Sequence, residues 1–132
     1  MDLFTYGTLQ LEEVWQRIAG VAATTMPARA EGYAVYRVAG HDFPGMIAQP
    51  GATAAGVVYL GVDTPAIARL DAYEGDSYTR QHVIATGGDG RQRPCAAYII
   101  PPQHAGLLTD EPWTCEGYRA AGGLERFLQR FG

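Results

Sequence analysis

Apolar residues recur along this chain in two rhythms, and the change from one to the other marks out its elements. Leu11, Val14, Trp15 and Ile18 stand at i, i+3, i+4 and i+7, with Gly20 placed to stop the run, so an amphipathic helix is predicted there. The same spacing puts Leu124, Phe127, Leu128 and Phe131 on one face of a C-terminal helix. A third helix is bounded by its own punctuation: Asp63 or Thr64 can cap it, Pro65 suits its first position, and Gly75 can close it in the left-handed conformation. Elsewhere the runs are short and rich in Val, Tyr and Phe. "LFTYG" (Leu3 to Gly7) reads as a strand meeting a turn, and "GYAVYRV" (Gly32 to Val38) and "GVVYLGV" (Gly56 to Val62) read as strands. Between those two, Pro44-Gly45 and Pro50-Gly51 predict turns. "RQHVIAT" and "RPCAAYII" flank "GGDG" (Gly87 to Gly90) in the manner of a hairpin. Five or six short strands with three separated helices predict an α+β fold, a small mixed β-barrel with peripheral helices. No repeat or linker divides the chain, so residues 1–132 read as one domain.

One polar position breaks the helical rhythm. Ile67 and Leu70 define the inward stripe of the third helix, and adding seven to the first or four to the second lands on Glu74. Its Cβ therefore points where theirs do. Burial there favours the neutral acid and raises the pKa, and the negative end of the helix dipole acts in the same direction. A carboxylate lifted toward neutrality is what a general base requires. The competing reading is a frayed helix end with Glu74 turned to solvent. "YGTL" (Tyr6 to Leu9) is the second candidate, because a strand running into Gly-Thr can present backbone N–H groups to a carboxylate or an oxyanion. The same tetrapeptide can also simply end a strand. Tyr78, four residues after Glu74, is the tyrosine best placed to join such a site; Tyr73 and Tyr98 read as packing.

Composition narrows the choice of chemistry. With 47% hydrophobic and 18% charged residues in 132, the chain can bury a core without disulfides or metal. Ten basic against fourteen acidic residues give a net charge of -4 with no Lys/Arg run, so nucleic acid and anionic membranes are not expected partners. His41, His82 and His104 lack metal-ligand spacing, and neither a G-x-S-x-G elbow nor a Gly-rich phosphate loop is present, so no metal or cofactor is expected. Cys95 fits a strand as a small core residue, whereas Cys115, beside Trp113, could be reactive but has no identifiable base. "MDLFTYGTLQ" has neither a basic nor a long apolar segment, no run approaches membrane-spanning length, and a cytoplasmic setting with free thiols is expected.

Three segments, "YGTL", "FPGM" (Phe43 to Met46) and "LDAYEGDSYTR" (Leu70 to Arg80), resemble in order and spacing the γ-glutamylcyclotransferase family, in its γ-glutamylamine cyclotransferase and AIG2-like branch. The likeness runs from about residue 3 to about residue 100. It implies a mixed fold round a small barrel and a ring closure that releases 5-oxoproline from a γ-glutamyl amide. It implies Glu74 as general base, with Tyr6, Gly7, Thr8 and Leu9 holding the substrate. Two stretches depart from the family's pattern: "QLEEVWQ" follows "YGTL" without a Gly/Pro-rich continuation, and the last thirty residues match nothing in it. The chemistry suits a chain without a nucleophile of its own, since the substrate's α-amine attacks its own γ-carbonyl and the fold need only hold it curled. Two other functions use the same groups: an AIG2-like module that binds without turnover, and a hydrolase that cuts the amide with water. Arg80 could bind substrate or serve structure.

Overall fold

The computed structural model describes residues 1–131. Among them six strands and four helices follow in the order β1 (Leu3–Thr5), α1 (Glu12–Ala19), β2 (Thr24–Val38), β3 (Pro44–Leu60), α2 (Thr64–Glu74), β4 (Thr79–Gly87), β5 (Gln92–Ile99), β6 (Leu108–Pro112), α3 (Cys115–Ala120) and α4 (Gly123–Phe131). Single 3-10 segments cover Thr8–Gln10 and Pro102–Leu107.

The first five strands pair into a closed ring. β1 lies antiparallel to β3 (Leu3 opposite Tyr59), β3 to β2, β2 to β4, and β4 to β5 (Val83 opposite Cys95). A parallel pairing of Leu3 with Ala96 joins β5 back to β1. β6 adds outside this ring, against the end of β2. The fold is therefore α+β, a closed five-stranded barrel with helices around it.

Strand periodicity separates two cores. Phe4, Ala30, Met46, Val58, Val83 and Ala97 fall in one buried cluster that draws on all five barrel strands. Their neighbours Leu3, Tyr59, Ala96 and Tyr98 belong to the other, where helix residues Val14, Trp15, Ile67, Leu70 and Phe127 pack. Alternate residues point to opposite faces, and both faces are covered, which explains the unbroken apolar run "CAAYII". Trp15 stacks on Tyr59 with ring centroids 3.6 Å apart and planes within 5°.

The two Pro-Gly pairs are not the turns their composition predicts. β2 and β3 form one hairpin of 15- and 17-residue strands, with both pairs inside β3. Pro44 opens the strand, where a missing N–H removes little. Pro50 and Gly51 sit where Glu31 is opposite Thr53 but Tyr33 is opposite Ala48, an irregularity in which the ladder is broken and a proline leaves no bond unmade.

Candidate active site

The end of α2 sets the site's acid. The Asp63 side chain accepts the Ala66 N–H at 2.9 Å and fixes the start of the helix. Ile67 and Leu70 are buried, so the helix cannot turn about its axis without exposing them. That phase carries Glu74 to the wall of a cavity of about 690 Å³. Gly75 then breaks the helix with φ 73° and ψ -163°. This is not the left-handed helical closure its sequence predicts but a conformation still further out of reach of a side chain.

Glu74 is only partly accessible, and among the described residues its carboxyl group has no hydrogen-bond or ion-pair partner. Burial pushes its pKa up to about 7, and burial is the whole cause. Two of the tyrosines around it have committed their hydroxyls elsewhere. Tyr6 donates to the Tyr98 carbonyl at 2.6 Å and Tyr78 to the Pro44 carbonyl at 2.7 Å. Both phenols are pushed upward, by burial first, with Glu74 among the lesser causes. They shape the cavity as neutral groups.

The "YGTL" turn lines the same cavity. Its own hydrogen bonds use its carbonyls: the Gln10 N–H donates to Gly7 O at 3.1 Å and the Leu11 N–H to Thr8 O at 3.0 Å. The N–H groups of Gly7, Thr8 and Leu9 find no acceptor among the described residues, although all three residues are buried. Unsatisfied buried donors are uncommon and ask for a ligand. Gly7 has a second constraint, because a Cβ there would stand 2.8 Å from Cγ of Pro44. "YGTL" and "FPGM" thus interlock, and Tyr78 ties the second motif to the segment after α2. Tyr59 donates to Leu9 O at 2.7 Å and anchors the far side of the turn.

The structure brings Tyr6, Gly7, Thr8, Leu9, Glu74 and Tyr78 around one cavity. Arg80 stands outside it, paired in a fork with Asp71 at 3.0 and 3.3 Å. Asp71 also accepts the Tyr98 hydroxyl at 2.7 Å, so the Arg80 fork is tied into the contact between α2 and the β4–β5 hairpin. The Cys115 thiol lies 3.8 Å from the Gly7 carbonyl, and burial raises its pKa, the reverse of what a nucleophile needs. Among the described residues no group of His, Cys, Asp and Glu gathers as a metal site, and no helix is long and apolar enough to cross a membrane.

Sequence reasoning missed one wall. His41, Asp42, Arg126, Phe127, Arg130 and Phe131 line the cavity from the β2–β3 connection and from α4. Arg126 binds both sides of this seam, donating to Asp42 Oδ2 at 2.9 Å and to Ala121 O at 2.7 Å. The signal was present in the spacing: Arg126 and Arg130, four apart, flank the apolar positions Phe127 and Phe131.

A closed barrel thus places its N-terminal turn and one unpaired acid on the wall of the same cavity. The family model described as gamma-glutamyl cyclotransferase, AIG2-like, matches residues 3–115, and the chain belongs to that family. The match reaches fifteen residues beyond the extent legible from motifs and stops before most of α3 and all of α4. Protein AIG2 C of Arabidopsis thaliana is 24% identical over 135 residues, covering 98% of this chain and 78% of that one. A solution structure of an Arabidopsis thaliana protein superposes with a TM-score of 0.75 at 24% identity, over 98% of this chain and 78% of that one. The structure of a gamma-glutamyl cyclotransferase superposes with a TM-score of 0.63 at 17% identity, over 98% and 85%. At these identities the superpositions establish the shared fold.

Proposed function

We propose that the protein is a γ-glutamyl cyclotransferase that converts a γ-glutamyl amide to 5-oxoproline and a free amine. The observation that carries this is the unpaired Glu74 carboxyl, with a pKa of about 7, in one cavity with the unpaired N–H groups of Gly7 to Leu9. Family membership supports the reaction class.

The substrate's α-ammonium gives a proton to the Glu74 carboxylate. The freed amine attacks the γ-carbonyl carbon, forming the C–N bond of the five-membered ring and moving an electron pair onto the carbonyl oxygen. N–H groups of the Tyr6–Leu9 turn hold that oxyanion. Its collapse breaks the bond to the leaving nitrogen, which takes the first proton back from Glu74; the ring nitrogen then sheds its second proton through the same carboxylate to the released amine, leaving a neutral lactam and an ammonium ion. One base and one oxyanion site suffice, because attacker and electrophile share a molecule. A base near 7 is better matched to the ammonium than an ordinary carboxylate, and it still returns the proton readily.

The test supplies a panel of γ-glutamyl amides and follows 5-oxoproline. Formation of 5-oxoproline from the free-amine substrates, and none from their N-acetyl forms, is expected. Glutamate as the product, or cleavage of an N-acetyl substrate, would mean hydrolysis by water instead. Binding of these amides without any turnover would leave a binding module.

A further inference from the structure

Five tyrosines line the cavity, and three of them spend their hydroxyl protons on the protein. Tyr6 donates to the Tyr98 carbonyl, Tyr78 to the Pro44 carbonyl and Tyr98 to the Asp71 carboxylate. Among the described residues neither Tyr73 nor Tyr118 donates its hydroxyl to a carbonyl or a carboxylate. The two differ in what surrounds them. Burial pushes the Tyr73 phenol up, hydrogen bonding from the Thr8 side chain opposes it, and the Glu74 charge adds to it. Burial also pushes Tyr118 up, to about 12, but neither Thr8 nor Glu74 acts there. The Tyr73 hydroxyl thus reaches the N-terminal turn at Thr8 while lying in the field of the acid. Its ring is held edge-on against Phe127 and Phe131, with centroids 6.4 and 5.8 Å away. Tyr73 also directly precedes Glu74 in α2, so the buried Ile67 and Leu70 that fix the acid fix this ring too.

The sequence reads Tyr73 as packing, and its ring does pack, but its hydroxyl proton is unspent beside the turn that offers N–H groups. We propose that Tyr73 is a further catalytic residue, whose hydroxyl donates a hydrogen bond to the γ-carbonyl oxygen as that atom becomes an oxyanion. This rests on the cyclotransferase reading above. No proton changes hands in this contact: Glu74 carries the protons, and the phenol O–H stays intact while the negative charge forms and collapses. An oxygen that accepts from Thr8 keeps its own proton for donation, and accepting strengthens it as a donor. Burial and the Glu74 charge both hold the phenol in its protonated form through the neutral range. A fixed donor in an enclosed site favours the transition state over the ground state, because the charge it faces develops only there.

The experiment follows 5-oxoproline formation by Tyr73→Phe, which keeps the ring with its two aromatic contacts and removes only the hydroxyl. Two substrates of differing leaving group are used, γ-glutamyl-benzylamide, which releases a strongly basic amine, and γ-glutamyl-anilide, which releases a weakly basic one. The phenylalanine variant should keep its Tm and KM and lose about 10² to 10³-fold in kcat, equally on both amides. The acid limb set by Glu74 should remain. Tyr118→Phe, which removes the other unspent phenol of the cavity, should leave kcat near that of the wild type. Wild-type kcat in Tyr73→Phe would overturn the inference and leave the cyclotransferase intact. A loss confined to the benzylamide would also overturn it, placing the hydroxyl at the departing nitrogen as a proton donor. So would a rise in KM with kcat unchanged, which would reduce Tyr73 to a packing residue of the pocket. Absence of 5-oxoproline from every γ-glutamyl amide with the wild type would remove the cyclotransferase reading, and this inference with it.

Discussion

A carboxyl group pushed up to about 7 is divided between two forms at neutral pH, and each form of Glu74 has a measurable consequence. Only the carboxylate accepts a proton, so kcat/KM should fall about tenfold per pH unit below about 7. Glu74→Gln keeps the shape but not the basicity. It should lose on the order of 10² to 10⁴-fold in 5-oxoproline formation and lack the acid limb, while Asp71→Asn on the same helix loses far less. Stability should move the other way. The folded protein holds the Glu74 proton more tightly than the unfolded chain does. That relative stability is complete below the unfolded value near 4.5 and is lost as pH rises through about 7. Glu74→Gln has no charge to bury, so its Tm should exceed that of the wild type at pH 8, by the equivalent of at most about 3 kcal/mol. The difference should disappear at pH 4.5. A variant that stayed folded with full turnover would remove Glu74 from the mechanism. The direction of this side chain was legible in the sequence because Ile67, Leu70 and Glu74 obey one helical period. Its lack of partners was not, because that depends on where Tyr6 and Tyr78 spend their hydroxyls, through contacts 34 and 92 residues apart in sequence.

Elements were legible where they repeat a period and obscure where they do not. α1, α2, α4 and the β4–β5 hairpin lie within a residue or two of their predicted places, since each has a stripe or a turn signal of its own. α3 has six residues and β6 five mostly exposed ones, too few to establish a rhythm. The β2–β3 hairpin reads as two separate strands because its prolines sit where the ladder opens, and composition cannot distinguish that from a loop. Contact between elements gives "YGTL" a meaning that the tetrapeptide alone lacks. Gly7 is required not only to open the N–H groups but because Pro44 occupies the space a side chain would take. Gly7→Ala should therefore force the turn away from "FPGM", lowering kcat/KM at least tenfold and Tm by a few degrees. Thr8→Ser, which keeps backbone and hydroxyl, should change neither by much. Paired thermal melts and 5-oxoproline assays separate the cases; an alanine variant with native stability and rate would show that the interlock is loose.

At the scale of the whole molecule the site depends on closing the barrel. The sequence held the number of strands and their faces but not their order, because the parallel pairing of Leu3 with Ala96 joins segments more than ninety residues apart and leaves no local trace. That closure holds β1, three residues long, which carries the "YGTL" turn at its end. On its other side β1 meets β3 so closely that a Cβ on Gly56 would collide with the Thr5 carbonyl and come within 3.0 Å of the Phe4 ring. Backbone cannot yield there without separating the strands. Gly56→Ala should cost at least the ~1–3 kcal/mol typical of overpacking and, because β1 shifts with its turn, should reduce turnover in the fraction that remains folded. Gly32→Ala in the same hairpin is the comparison. It carries the strain of a positive φ of 85° but meets nothing within 4 Å, so it should cost only about 1–2 kcal/mol and leave turnover near that of the wild type. Urea midpoints for both variants, with 5-oxoproline rates measured well below the transition, decide between them. Equal effects on stability and rate would mean that β1 positions the turn no more than any other strand does.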